Sequence, residues 1–172
     1  GATLHSTLLP GYGFKAAYMT KQKLRDHEDF DHVFAYNDGP EEYDKWLGND
    51  DTAMHRGITI SKLAERGIDD RLVVLELDNG DKNDFSWLLN YIVVPELVSS
   101  ATFEASYKWM LGDYKVSPGL RYMHQFDHGA GEMGGANLRV NTVGYDDPDS
   151  LKSALYGARV DVAKDAWALR MG

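Results

Sequence analysis

His124 and His128 stand four residues apart in "HQFDH", with Asp127 between them. Imidazoles and carboxylates are metal ligands, and on a helix this spacing would place both rings on one face. On a strand the same four residues span about 13 Å, so the rings converge only if the chain turns at Asp127. "DHEDFDH" (26–32) is denser in ligands, and its carboxylates are of the type that holds Ca²⁺ through oxygen. Solvated loop charge is the simpler account of that run, and "DDPD" (146–149) reads as a turn with Asx capping. Ser, His and Asp are all present, but no G-x-S-x-G elbow presents a nucleophile. "GAGEMGG" (129–135) lacks the strand–turn–helix setting of a phosphate cradle. The sequence does not read as an enzyme, and it calls for no cofactor or metal.

A second set of residues is arranged by parity. Lys15, Lys21, Glu104, Lys108, Lys115, Arg121, Gln125, Arg159, Asp161 and Arg170 recur on one alternate-residue face of extended segments. That face is mainly basic, whereas the chain as a whole carries a net charge of −9. The acids gather in loops: "RDHEDFDH" (25–32), "DGPEEYDK" (38–45), "NDD" (49–51) and "YDDPD" (145–149). A basic wall below an acidic mouth suits a selective aqueous channel, and the ten residues named are candidate pore-lining positions.

These positions need strands to hold them. Period-2 alternation with β-branched and aromatic residues predicts eight: roughly 3–9, 14–23, 71–78, 85–94, 101–110, 114–126, 153–162 and 166–172. Two short helices are expected inside the long loop 24–70, at 40–48 after Pro40 and at 61–67 with a Ser61 cap and a Gly67 stop. The second long loop is 127–152, and no domain boundary divides residues 1–172. Connections one, three, five and seven are short, whereas two of the remaining three are very long. Short turns at one end and long loops at the other are the habit of an up-and-down membrane barrel.

The opposite parity carries Phe14, Trp87, Leu89, Phe103, Leu120, Tyr122, Tyr156, Val160, Trp167 and Leu169, with no Lys or Arg. Phe14, Phe85, Trp87, Trp109 and Trp167 lie near short turns, and Tyr122, Phe126 and Tyr156 lie toward long loops. Aliphatics and Ala between them complete the pattern of two interfacial girdles around a lipid band. No run of about 18 apolar residues provides a membrane helix, which says nothing against strands. Cys is absent, excluding disulfides and thiolate metal sites. The acidic balance argues against nucleic acid as a partner. The start, "GATLHSTLLPG", lacks a signal-peptide pattern, and both ends read as interior sequence, so the expectation is a fragment.

The stretch 112–172 resembles the OprD-like outer-membrane porins of Gram-negative bacteria. "PGLRYMHQFDHGAG", "GEMGGANL" and "YGARVD" are its most telling parts; "NDDTAMHRG" (49–57) and "FKAAYMTKQK" (14–23) are similar to earlier segments of that family. The resemblance implies an all-β, antiparallel, transmembrane barrel of about 18 strands, of which this chain supplies about eight. It implies passive passage of small solutes such as amino acids, peptides and ions through an internal constriction. It also implies a basic ladder, whose type Lys108, Lys115, Arg121, Arg159 and Arg170 fit. Outer-membrane lipid and lipopolysaccharide are then partners, and a homo-oligomer is compatible with that reading. The competing expectation is a soluble β-sandwich or barrel that binds carbohydrate or a protein through its long loops. Such a fold would bury Trp87, Trp109 and Trp167 in one core, whereas a porin points them outward.

Overall fold

The computed structural model describes residues 1–23, 30, 32–35, 58–80, 84–133 and 150–172. Among these residues nine strands form one antiparallel sheet: β1 (Ala2–Ser6), β2 (Gly13–Met19), β3 (Leu72–Asp78), β4 (Phe85–Val94), β5 (Val98–Tyr107), β6 (Trp109–Leu111), β7 (Tyr114–Asp127), β8 (Ser153–Lys164) and β9 (Trp167–Met171). Each strand pairs with its neighbour in sequence, except that β5 and β6 lie end to end along β7. The eight expected strands are all present. The expected helix 40–48 and most of the acidic loop runs lie outside the described residues.

The strand expected over 101–110 is divided at Lys108. In the register, Ser106 faces Gly119 and Trp109 faces Val116, which puts Tyr107 opposite Pro118. Proline has no N–H to give the ladder, so the pairing lapses there. The Lys108 N–H turns instead to the Asp84 carbonyl at 2.7 Å. Two-residue turns close β6–β7 and β8–β9. Each needs a left-handed residue at its first position, and Gly112 (φ 61) and Asp165 (φ 49) supply it.

One helix, α1 (Ile60–Glu65), is described, and its cap differs from expectation. Thr59 rather than Ser61 is the cap: the Lys62 N–H donates to its Oγ1 at 3.4 Å. Thr59 is extended, so its hydroxyl can reach back to the first turn, whereas Ser61 is already helical.

The register makes each parity continuous across the sheet. On one side run Phe14–Leu77–Leu89–Phe103–Tyr122–Tyr156 as directly opposed neighbours. Nothing among the described residues covers this side: Leu120 is 64% exposed and Trp167 74%. The buried core lies elsewhere. Ala35, Ile58, Leu63, Val94, Leu97, Ala130 and Met133 cluster at the long-loop end, with Leu72 and Val98 against them. Leu72, Val94 and Val98 share the parity of Lys15, Glu76 and Asn90. The described loop segments therefore pack on the charged face and leave the aromatic face open.

Candidate functional site: the charged face of the sheet

Cross-strand register decides which charges meet. Lys15 on β2 stands opposite Glu76 on β3, and its Nζ lies 2.5 Å from Glu76 Oε1. Asn90, the next residue across, donates to Glu76 Oε2 at 3.4 Å. Glu104 on β5 faces Arg121 on β7, with their side chains 2.5 Å apart. Asp161 on β8 faces Arg170 on β9. Arg170 donates to both Asp161 oxygens, through Nε to Oδ1 and at 3.3 Å to Oδ2. Arg159 Nε stands 3.5 Å from the same carboxylate. Two guanidiniums thus share one acid, which leaves a net positive charge at that end of the face.

The wall expected to be basic is therefore built largely of ion pairs. Lys15, Arg121, Arg159 and Arg170 each have an acidic neighbour, and all four side chains are at least half exposed. Ion pairs that open to water contribute little stability, but they fix where each charged group points. Lys115 and Ser117 line a shallow depression with Asp161 and Arg170.

Gln125 carries the right parity, but its Nε2 donates to the Leu151 carbonyl at 2.6 Å, tying down a loop segment. Lys21 lies beyond the end of β2, with Nζ 3.5 Å from His32 Nε2. Lys108 occupies the break between β5 and β6. Only seven of the ten candidates, Lys15, Glu104, Lys115, Arg121, Arg159, Asp161 and Arg170, form the strand-borne charged face.

His124 and His128 do not converge on a common ligand. His124 lies on the aromatic parity, its ring 4.4 Å from Phe126 and its Nδ1 3.2 Å from the Tyr122 hydroxyl. His128 Nε2 bonds Ser99 Oγ at 2.8 Å. Among the described residues no three His, Cys, Asp or Glu side chains gather in a metal-binding group.

Two features of the site were not read from sequence. Gly119 is one: a Cβ there would lie 3.2 Å from Arg159 Nε and 3.3 Å from its Cγ, so the bare backbone lets the arginine lie flat across β7. The acceptor role of Asp127, named above only as a point where the chain could turn, is the other. Its Oδ1 accepts from the Gly129 N–H at 2.8 Å, and its Oδ2 from the Gly131 and Leu151 N–H groups at 3.1 and 2.8 Å. An Asp followed two and four residues later by Gly is the sequence signal that marks such a turn.

A twisted antiparallel sheet with one uncovered apolar face, one charged face and loops folded over the charged side defines a wall segment of an outer-membrane-type β-barrel. Solved structures agree. The chain matches the outer membrane protein OpdK of Pseudomonas aeruginosa at a TM-score of 0.66 and 12% identity, covering 98% of this chain and 35% of that one. OpdO of the same organism matches at 0.59 and 14%, covering 98% and 34%. OccAB2 of Acinetobacter baumannii matches at 0.56 and 14%, covering 94% and 32%. These are porins of the OprD/Occ group, and this chain has the fold of about one third of their length. One OpdK structure is a complex with vanillate, and one of OccK2 (OpdF) a complex with glucuronate. No protein-family model matches the chain, and no curated protein does.

Proposed function

We propose that this chain forms part of the wall of an outer-membrane channel through which small solutes diffuse passively. The observation that carries the reading is the uncovered aromatic face lying opposite a charged face on which the loops pack. A soluble protein would place its core on the apolar side, because burial of apolar area is the main driving force for folding. Here that side is left for hydrocarbon. Among the described residues the sandwich alternative has no second layer over Trp109 or Trp167, which are 59% and 74% exposed. Lipid and lipopolysaccharide are the solvents this face fits. The remaining strands needed to close the barrel come from the rest of the whole protein, since open sheet edges do not survive in a bilayer.

Small solutes, including amino acids, peptides and ions, are the class that suits such a pore. The shared acid between Arg159 and Arg170 favours solutes with an anionic group, and the vanillate and glucuronate bound by structural neighbours each carry a carboxylate. The test is reconstitution of the full-length protein in planar bilayers. Discrete conductance steps are expected. A full-length protein that is monodisperse in buffer without detergent and makes no steps would overturn the reading.

A further inference from the structure

Among the described residues, several of the polar contacts that tie down the loop cluster converge on one strand end. Asp127, the last residue of β7, stands opposite Val98 and so shares the parity of the charged face. Its two oxygens accept N–H groups from both sides of a long connection: Gly129 and Gly131 on the outgoing side, Leu151 on the return. The outgoing segment is hooked a second time. The His128 and Ala130 N–H groups donate to the Leu97 carbonyl at 2.8 and 3.2 Å, and the Leu97 side chain is fully buried. The far end of this segment meets the helix: Lys62 Nζ donates to the Met133 carbonyl at 2.9 Å. Ala130 and Met133 then bury themselves against Leu63 of α1.

We infer that Asp127 is a positioning residue for the channel: it holds residues 128–133 and 151 together over the charged face, and through them fixes how far α1 and its neighbours obstruct the mouth. The inference rests on the barrel reading above. The chemistry favours a carboxylate specifically. Oδ2 alone joins the two sides, through Gly131 and Leu151, while Oδ1 adds the Gly129 N–H, so a side chain with a single acceptor oxygen keeps only part of the clamp. Backbone N–H groups on an ionised oxygen make strong, short-range bonds, which suits a clamp at a water-filled rim.

The experiment is single-channel recording of the full-length protein with Asp127→Ala and Asp127→Asn. Each recorded event comes from a barrel that has folded and inserted, so the measurement is separate from yield. The expected result is a higher unit conductance and loss of the quiet open level in Asp127→Ala, with a smaller change in the same direction for Asp127→Asn. Lys62→Met, which removes the tie to Met133, is expected to add current noise as well. Asp127→Ala and Asp127→Asn channels with wild-type conductance and noise would overturn the inference, even if the variants insert less often. Wild-type protein that gives no channels at all would instead overturn the barrel reading on which the inference stands.

Discussion

Arg159 on β8 lies across Gly119 on β7, with its Nε 3.2 Å from the point where a Cβ would stand. Position 119 therefore controls the arginine without carrying any charge. Gly119→Ala is expected to push the guanidinium off β7 and away from Asp161. In a full-length barrel, the reversal potential in a salt gradient should move in the opposite direction to Arg159→Gln, because the charge is kept and released from its acid. Thermal stability should change little, since Ala in a strand lowers backbone entropy in the unfolded chain while crowding Arg159. A G119A reversal potential equal to wild type would show that the arginine's position does not matter.

Asp161 carries two guanidiniums. Asp161→Asn removes one negative charge from the charged face and frees both arginines of their acid. The channel is expected to become more selective for anions, opposite in sign to the effect of Arg170→Gln. Because all three groups are open to water, the melting temperature should stay near wild type. Reversal potentials of the two variants that shift in the same direction would contradict this assignment.

Leu120 sits at the middle of β7 on the aromatic side, 64% exposed. In a bilayer, Leu120→Arg is expected to cost about 2–4 kcal/mol of folding free energy, the range for an arginine facing lipid near the midplane. On a water-facing surface the same change would be near neutral. Denaturant titration of the full-length protein refolded into liposomes measures the difference. A cost indistinguishable from zero would mean that Leu120 faces water.

Asp70 is expected to give the loop cluster a pH dependence. Its side chain is almost fully buried, and among the described residues Oδ1 has no hydrogen-bond partner. Burial pushes its carboxyl above the ordinary Asp range, against the pull of the Phe34 N–H and of His32, whose Nδ1 is 3.4 Å away. A raised folded-state value means that the folded chain binds the proton more tightly than the unfolded one. Stability is then highest below the unfolded value of about 3.9 and declines as pH rises through the folded value. Amides in 58–68, corrected for intrinsic rates, should exchange more slowly near pH 4 than near pH 7. Asp70→Asn should flatten that difference. A pH dependence unchanged by the substitution would place its origin elsewhere.

Much of the sheet is legible in the chain because a strand's alternation is local. Each residue's neighbours two positions away share its face, whatever the strand pairs with. That suffices to place Phe14, Leu89, Leu120 and Val160 on one side and Lys15, Arg121 and Arg159 on the other. The Asp161–Arg170 partnership is not legible, because strands expected to end at 162 and restart at 166 centre the turn on Lys164, whereas it falls at Asp165-Ala166 and shifts the register of the hairpin. The Lys15–Glu76 pair is not legible either, because its partners are 61 residues apart across a long loop.

Sequence by itself thus determined the strands, the two parities and the asymmetry of the connections. Tertiary structure decided what each face does. It neutralised most of the basic wall, because register sets Glu76, Glu104 and Asp161 directly opposite Lys15, Arg121 and Arg170. It divided one strand at Lys108, because Pro118 on the partner has no N–H to offer. It also put the core on the charged side. That core joins Ala35, Ile58, Leu63, Leu97 and Met133, segments far apart along the chain, and burial of that kind is a property of the assembled fold that no local period records.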